Sequence, residues 1–222
     1  MALVAQLTRT GTLRGDGETF ARTRDAFARR HLVRIPSFIA SDLLGELARV
    51  VERREFRRRV HSGAQGATDV CIEDPDVRWL LMFLMNDPQL FSVIRDLTGC
   101  DEIGFFNPSI YKMEPGEGHL DRWHDDAAGG NRLIGISVNL GQLPFEGGVL
   151  QIRSKGTSAI IHSEQNTGFG DAMLFRIDAS LEHFVTEVTG SVPRIALAGW
   201  FQRTPKYSEI AAGIFGLPTS RT

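Results

Sequence analysis

The sequence predicts an α+β fold in which helices come first and a sandwich or barrel of short strands follows. Three observations predict it. Apolar residues recur at helical spacing through the first hundred residues. From Ile103 the period falls to two, and turn residues then cut the chain into short alternating runs. Helices segregated from strands in this way pack as one layer against a sheet. A chain of 222 residues buries a sizeable core, so one domain over 1–222 is expected, with 1–100 as helical support and 103–202 as the strand core.

Residues 1–15 are weakly patterned and are expected to be mobile. Thr19 to Arg30 reads as a helix anchored by Phe20 and Phe27, and His31 to Ile35 as a short strand stopped by Pro36. Ser41-Asp42 is the cap predicted for a second helix, whose Leu43, Leu44, Leu47, Val50 and Val51 fall on one stripe. The basic run from Arg53 to Arg59 is expected on a helix as a solvated face. Ser62 to Thr68 is a small-residue loop. Asp74-Pro75 opens a third helix to about Leu84, and Asn86-Asp87-Pro88 breaks it before a fourth that runs to Leu97, ahead of Gly99.

In the second half, Phe105, Asn107, Ser109, Tyr111 and Met113 share one strand face, as do Leu133, Gly135, Ser137 and Asn139 on the next strand. Val149–Arg153, Ser158–His162, Ala172–Ile177, Leu181–Val188 and Arg194–Phe201 complete the predicted set. Seven or so strands of this kind make a sandwich or barrel.

Composition removes several classes. Against 25 basic residues stand 27 acidic ones, so there is no bulk attraction to nucleic acid or an anionic membrane. Cys71 and Cys100 are too few for a disulfide framework or a thiolate zinc site. The apolar run Trp79–Met85 is too short to span a bilayer, and no secretory signal is visible. A cytoplasmic chain is expected, with no nucleic-acid or membrane partner.

The chemistry lies in Trp123-His124-Asp125-Asp126, then His183, then Arg194. Two imidazoles and one carboxylate on one side of a metal, with open positions opposite, suit non-heme Fe(II) oxygen chemistry. In an extended segment His124 and Asp126 project together and Asp125 points away. Asp125 becomes the ligand instead if the chain turns sharply there. His183 is the preferred second imidazole, because Leu181 and Val185 share its face and make that face inward; His162, at the end of an apolar strand, is the rival.

Arg194 shares a strand face with Ala196, Ala198 and Trp200. The two alanines leave volume beside an inward guanidinium, which grips a carboxylate with two parallel hydrogen bonds. Tyr111 is expected to add a hydroxyl contact to that carboxylate, and Asn139 a polar contact nearby. Phe105, Asn107, Arg122 and Trp123 are candidate substrate contacts.

These residues resemble the Fe(II)/2-oxoglutarate-dependent dioxygenases, most of all their prolyl-4-hydroxylase-like branch. The likeness runs over roughly 103–202: Tyr111 through His124 and Asp126, then Phe145-Glu146-Gly147-Gly148-Val149-Leu150, then Gly170-Asp171-Ala172-Met173-Leu174-Phe175 through His183, Arg194 and Trp200-Phe201. The resemblance implies a double-stranded β-helix, the jelly-roll or cupin-like barrel, buttressed by the N-terminal helices. It implies Fe(II) held by His124, Asp126 and His183. It also implies 2-oxoglutarate held by Arg194 with Tyr111, dioxygen as oxidant, and hydroxylation of an unactivated C–H bond with release of succinate and CO2. A carboxylate at Asp126 favours hydroxylation over halogenation. Two other readings keep the barrel: a cupin-like metal enzyme that does not use 2-oxoglutarate, and a non-catalytic ligand-binding barrel. The first gives Arg194 no task, and the second gives none to an intact set of four residues.

Overall fold

Helical caps and strand pairings at the N-terminal end show how local sequence sets each element. The computed structural model describes residues 3–60, 68–116, 123–127 and 130–203. Strands β1 (Ala5–Thr8) and β2 (Gly11–Arg14) form a hairpin. This corrects the expectation of a mobile leader. Val4, Ala5 and Leu7 are buried, the Thr12 main-chain and hydroxyl groups donate to Asp87, and the Leu7 N–H donates to the Phe38 carbonyl. All these partners are remote in sequence, so local pattern alone does not mark the hairpin.

Helix α1 (Gly17–Arg30) starts at Asp16, whose carboxylate accepts the Thr19 N–H, and ends at His31 in the left-handed conformation. His31 is therefore a helix cap and not the first residue of β3 (Leu32–Ile35). Helix α2 (Ser41–Glu52) is capped at Ala40 without a side-chain bond, so Ser41 and Asp42 lie inside the helix and not at its cap. The basic run does not continue that helix. Arg53 closes it, and Arg57–Val60 becomes β4, paired with β5 (Thr68–Cys71), which in turn pairs with β6. Strand pairing from residues downstream overrides helical propensity there. Residues 62–67 of the predicted small-residue loop lie outside the described residues, and Thr68 opens β5.

Helices α3 (Pro75–Met85) and α4 (Pro88–Thr98) each place Pro at the first turn behind a capping Asp. Asn86, between them, donates to the Phe106 carbonyl and accepts the Phe106 N–H, tying the helix pair to β6 (Phe105–Met113). The remaining strands are β7 (Arg132–Asn139), β8 (Glu146–Gly147), β9 (Leu150–Ser154), β10 (Ile160–Glu164), β11 (Ala172–Arg176), β12 (Leu181–Val185), β13 (Val188–Thr189) and β14 (Arg194–Gln202). Two boundaries move. Ser158 turns with positive φ, so β10 starts later than expected, and the run Leu181–Val188 breaks into β12 and the start of β13.

Among the described residues the large sheet is antiparallel, in order β3-β11-β7-β14-β6-β5-β4, and a smaller one runs β10-β9-β12. The two sheets and their helical cover form the double-stranded β-helix arrangement. Even-numbered residues of β6, β7 and β11 and odd-numbered residues of β14 face the helices, where Phe106, Ile136, Leu174 and Phe201 join the main core. The Phe106 and Phe201 rings sit 4.7 Å apart, and Phe91 of α4 meets Phe201 edge-on. Burying each such ring contributes about 1.5–3 kcal/mol. The opposite face looks into the space between the sheets, where Leu32, Ile152, Met173, Phe175 and Leu181 form a second, smaller core. The site lies at one end of that inner space.

Candidate metal and co-substrate site

His124 and His183 arrive from distant parts of the chain but share a backbone bridge. The His124 N–H donates to the His183 carbonyl at 3.2 Å, and the His183 N–H to the His124 carbonyl at 2.8 Å. Their rings are 4.2 Å apart between centroids. His183 pairs with Ile152 on its other side, which fixes its imidazole inward at 6% exposure. Asp126 adopts a left-handed backbone (φ 54°) that turns its carboxylate back toward both rings. Its Oδ2 lies 3.5 Å from His183 Nε2 and 3.8 Å from His124 Nε2. One donor atom from each residue falls within 4.8 Å of the others, a spread that a single divalent ion could gather by small side-chain rotations.

The electrostatics fit a cation. Burial of Asp126 works against its charge. The bond to His183 and the positive neighbours Arg132, His183 and His124 outweigh that and hold its pKa down at about 2. The carboxylate is therefore an ionised donor at any ordinary pH. Asp125, left open as an alternative ligand, points away: it accepts from Lys155 Nζ at 2.6 Å and from the Ala127 N–H at 3.0 Å. His162 lies beside Glu164 in a different cleft, between α1, β3 and β10, with Arg30 and Arg34.

Two partners of Asp126 were not anticipated. Trp200 Nε1–H donates to Oδ2 at 2.8 Å, and Arg132 donates to Oδ1 at 2.5 Å. Their signal in the sequence was faint. Trp200 shares the Arg194 face, and Arg132 opens β7 just after Gly129-Gly130, but neither spacing specifies a carboxylate partner.

Arg194 begins β14 opposite Met113 and is only 9% exposed. Its Nη2 donates to Ser137 Oγ at 2.7 Å, and Nη1 lies 3.2 Å from Met113 Sδ. Ser137, not Asn139, is the polar neighbour of the guanidinium. Asn139 is spent on loops: its amide donates to the carbonyls of Gly141 and Gly168, and its oxygen accepts the Gly141 N–H. This takes Asn139 out of the predicted anion contact. Tyr111 stands across from Ala196 on the inner face. Gly148 (φ 59°) is forced by proximity: a Cβ there would lie 2.7 Å from the Phe145 ring and 3.1 Å from Arg194 Cδ.

The substrate candidates separate. Asn107 pairs with Trp200 on the inner face, though its oxygen also accepts from Arg78 at 3.4 Å. Phe105 sits at the end of the same strand, opposite Gln202. Trp123 is corrected: next to an inward His124 it must face outward, and it packs on Phe184 (5.3 Å) beneath the Arg153 guanidinium. Arg122 lies outside the described residues.

Two antiparallel sheets bring together two imidazoles, a carboxylate and a buried arginine, a donor set that suits metal-dependent oxygen chemistry. The sequence model of the 2OG-Fe(II) oxygenase superfamily matches residues 108–202, a segment that contains every one of these groups. Over that segment the chain is similar to the 2OG-Fe(II) oxygenase superfamily.

Solved structures share the fold. A Pseudomonas putida prolyl-4-hydroxylase is 22% identical, with TM-score 0.60 over 83% of this chain and 99% of that one. A Trichoplax adhaerens prolyl hydroxylase, in complex with a hypoxia inducible factor oxygen degradation domain peptide fragment, is 15% identical, with TM-score 0.57 over 83% and 89%. The epimerase SnoN, in complex with Fe3+, alpha ketoglutarate and nogalamycin RO, is 17% identical, with TM-score 0.58 over 85% of each chain. No curated protein sequence matches the chain. Among the described residues no helix is long and apolar enough to cross a membrane.

Proposed function

We propose that this chain is a 2-oxoglutarate-dependent oxygenase that hydroxylates an unactivated C–H bond of a small molecule, amino acid or peptide. In this reading His124, Asp126 and His183 hold Fe(II), and Arg194, with Tyr111, holds the distal carboxylate of 2-oxoglutarate. When bound, the iron supplies dioxygen activation coupled to the conversion of 2-oxoglutarate into succinate and CO2. One oxygen atom of O2 enters succinate and the other the hydroxylated product.

The observation that carries the reading is the inner face shared by a buried guanidinium and three converging donors. Arg194 is held inward by Ser137, whose hydroxyl accepts from its Nη2 at 2.7 Å. In this reading the buried guanidinium fork, beside the small side chains of Ala196 and Ala198, meets the need of an anionic co-substrate for a two-pronged anchor. That need speaks against a cupin-like enzyme that does not use 2-oxoglutarate. Tyr111 pairs with Ala196 across β6 and β14, which supports its part in the anchor. The chain's residues thus orient the co-substrate along β14, from the anchor at Arg194 toward the ligand set. The apolar floor of Ile152, Met173 and Phe175 keeps water away from it.

Fold relatives described with a peptide fragment and with nogalamycin RO support both substrate classes for this chain. The deciding experiment is anaerobic addition of Fe(II) and 2-oxoglutarate while the weak visible charge-transfer band is followed. The band is expected for the wild type and absent for His183→Ala. A wild type that takes up Fe(II) but shows no response to 2-oxoglutarate would overturn the reading.

A further inference from the structure

We infer that Trp200 and Arg132 are positioning residues that hold Asp126 to metal binding through one oxygen only. The inference rests on the assignment of Asp126 as a metal ligand and goes one layer beyond it. Oδ2 is the oxygen that faces both imidazoles, and it already accepts the Trp200 indole N–H at 2.8 Å. An ionised carboxylate oxygen accepts in about two directions. The indole occupies one and leaves the other aimed into the ligand set. Oδ1 is turned away and held by Arg132 at 2.5 Å. Rotation of the carboxylate to present both oxygens to a metal would break the Arg132 bond and misalign the Trp200 bond.

The two positioning groups also hold each other. The Arg132 guanidinium lies 3.8 Å from the centroid of the Trp200 ring, stacked on its face. Asp126 is thereby clamped by a connected pair, while its left-handed backbone sets the approach of the side chain. The functional consequence concerns the open positions. A facial set with a one-oxygen carboxylate keeps the opposite face clear for a chelating keto acid and for dioxygen. A two-oxygen carboxylate would consume one of those positions. Trp200 stands six residues after Arg194 on the same strand face, so β14 carries both the anion anchor and the clamp.

The sign of the Arg132 effect separates positioning from simple charge. A guanidinium repels a divalent cation, so if charge alone mattered its removal would tighten metal binding. Positioning requires the opposite. The probe is Co(II), titrated into the full chain and read by its visible ligand-field spectrum, with folding checked by circular dichroism. Trp200→Phe and Arg132→Ala are expected to lose roughly tenfold or more in Co(II) affinity, with an altered band shape, the usual range for partners of metal ligands. Arg132→Lys, which keeps the charge but not the planar stack, is expected to fall between wild type and Ala. It decides by the same criterion if Arg132→Ala does not fold. Folded variants that bind Co(II) as tightly as wild type, or more tightly, with an unchanged spectrum would overturn the inference. Asp126→Ala is the control for the underlying assignment: wild-type Co(II) affinity in that variant would sink the ligand role itself, whereas its loss beside unaffected clamp variants would sink only the positioning role.

Discussion

His124 and His183 are joined main chain to main chain, N–H to carbonyl in both directions, at 3.2 and 2.8 Å. The two main chains are therefore tied at this point, although 59 residues separate them in sequence. In the proposed metal site, a pair fixed by a β-bridge needs little reorganisation when metal enters, and Asp126 is steered separately.

Removal of one imidazole should therefore empty the site without dismantling the fold. His183→Ala is expected to abolish stoichiometric metal uptake, measured by elemental analysis after dialysis. The apo variant should lose on the order of 1–3 kcal/mol of stability, since the ring packs 4.7 Å from Phe175 and leaves a gap. Unchanged metal content would exclude His183 as a ligand.

Arg194 and Ser137 should separate by magnitude. Arg194→Ala is expected to raise the 2-oxoglutarate concentration for half-maximal band formation roughly 100-fold, the range for losing one partner of a buried charge pair. Ser137→Ala removes only a bond that orients the guanidinium and should raise it several-fold, roughly 1 kcal/mol. Iron uptake should survive in both. Equal effects, or none, in the titration would contradict the anchor.

Gly135 is expected to tolerate no side chain. A Cβ there would fall 2.1 Å from Phe175 Cζ, and Phe175 in turn packs on His183. Gly135→Ala should cost about 1–3 kcal/mol by thermal or chemical denaturation and weaken metal binding by displacing the His183 ring. A melting curve like that of wild type would show that the ring has room to move.

The metal-free protein should also record the charge of Asp126 in acid. Its folded pKa, about 2, lies below the ordinary 3.8. Its ionised form thus contributes stability that is fully present above pH 3.8 and is lost as pH falls from there through 2. Asp126→Asn lacks that contribution. The stability gap between wild type and variant, followed by urea unfolding, is expected to be constant near neutrality and to close between about pH 4 and 2. A gap that stays constant through that window would mean the carboxylate gains nothing from its neighbours.

Local pattern carried the helices and most strands. Asp16, Asp74 and Asp87 cap helices because a short carboxylate reaches the next free N–H groups, a relationship contained in four consecutive residues. Alternation along β6, β7 and β14 named the inner faces correctly, because side chains two apart point the same way whatever the partner strand. The N-terminal hairpin and β4 were not legible. Their pairing partners, near Phe38, Asp87 and β5, lie elsewhere in the chain, and nothing local distinguishes them from a loose leader or a helix end.

For the candidate site, the sequence by itself determined the residue types, their order and the strand faces that carry His183, Arg194 and Tyr111. Those follow from residue identity and a period of two. Only the tertiary structure decided between Asp126 and Asp125, moved Asn139 into the loops and Trp123 to the outer face, and brought Arg132 and Trp200 onto the carboxylate. The physical reason is that each of these outcomes depends on a backbone turn or a cross-strand register. A single left-handed residue at position 126 reverses the direction of a side chain, and register sets which remote donor it meets.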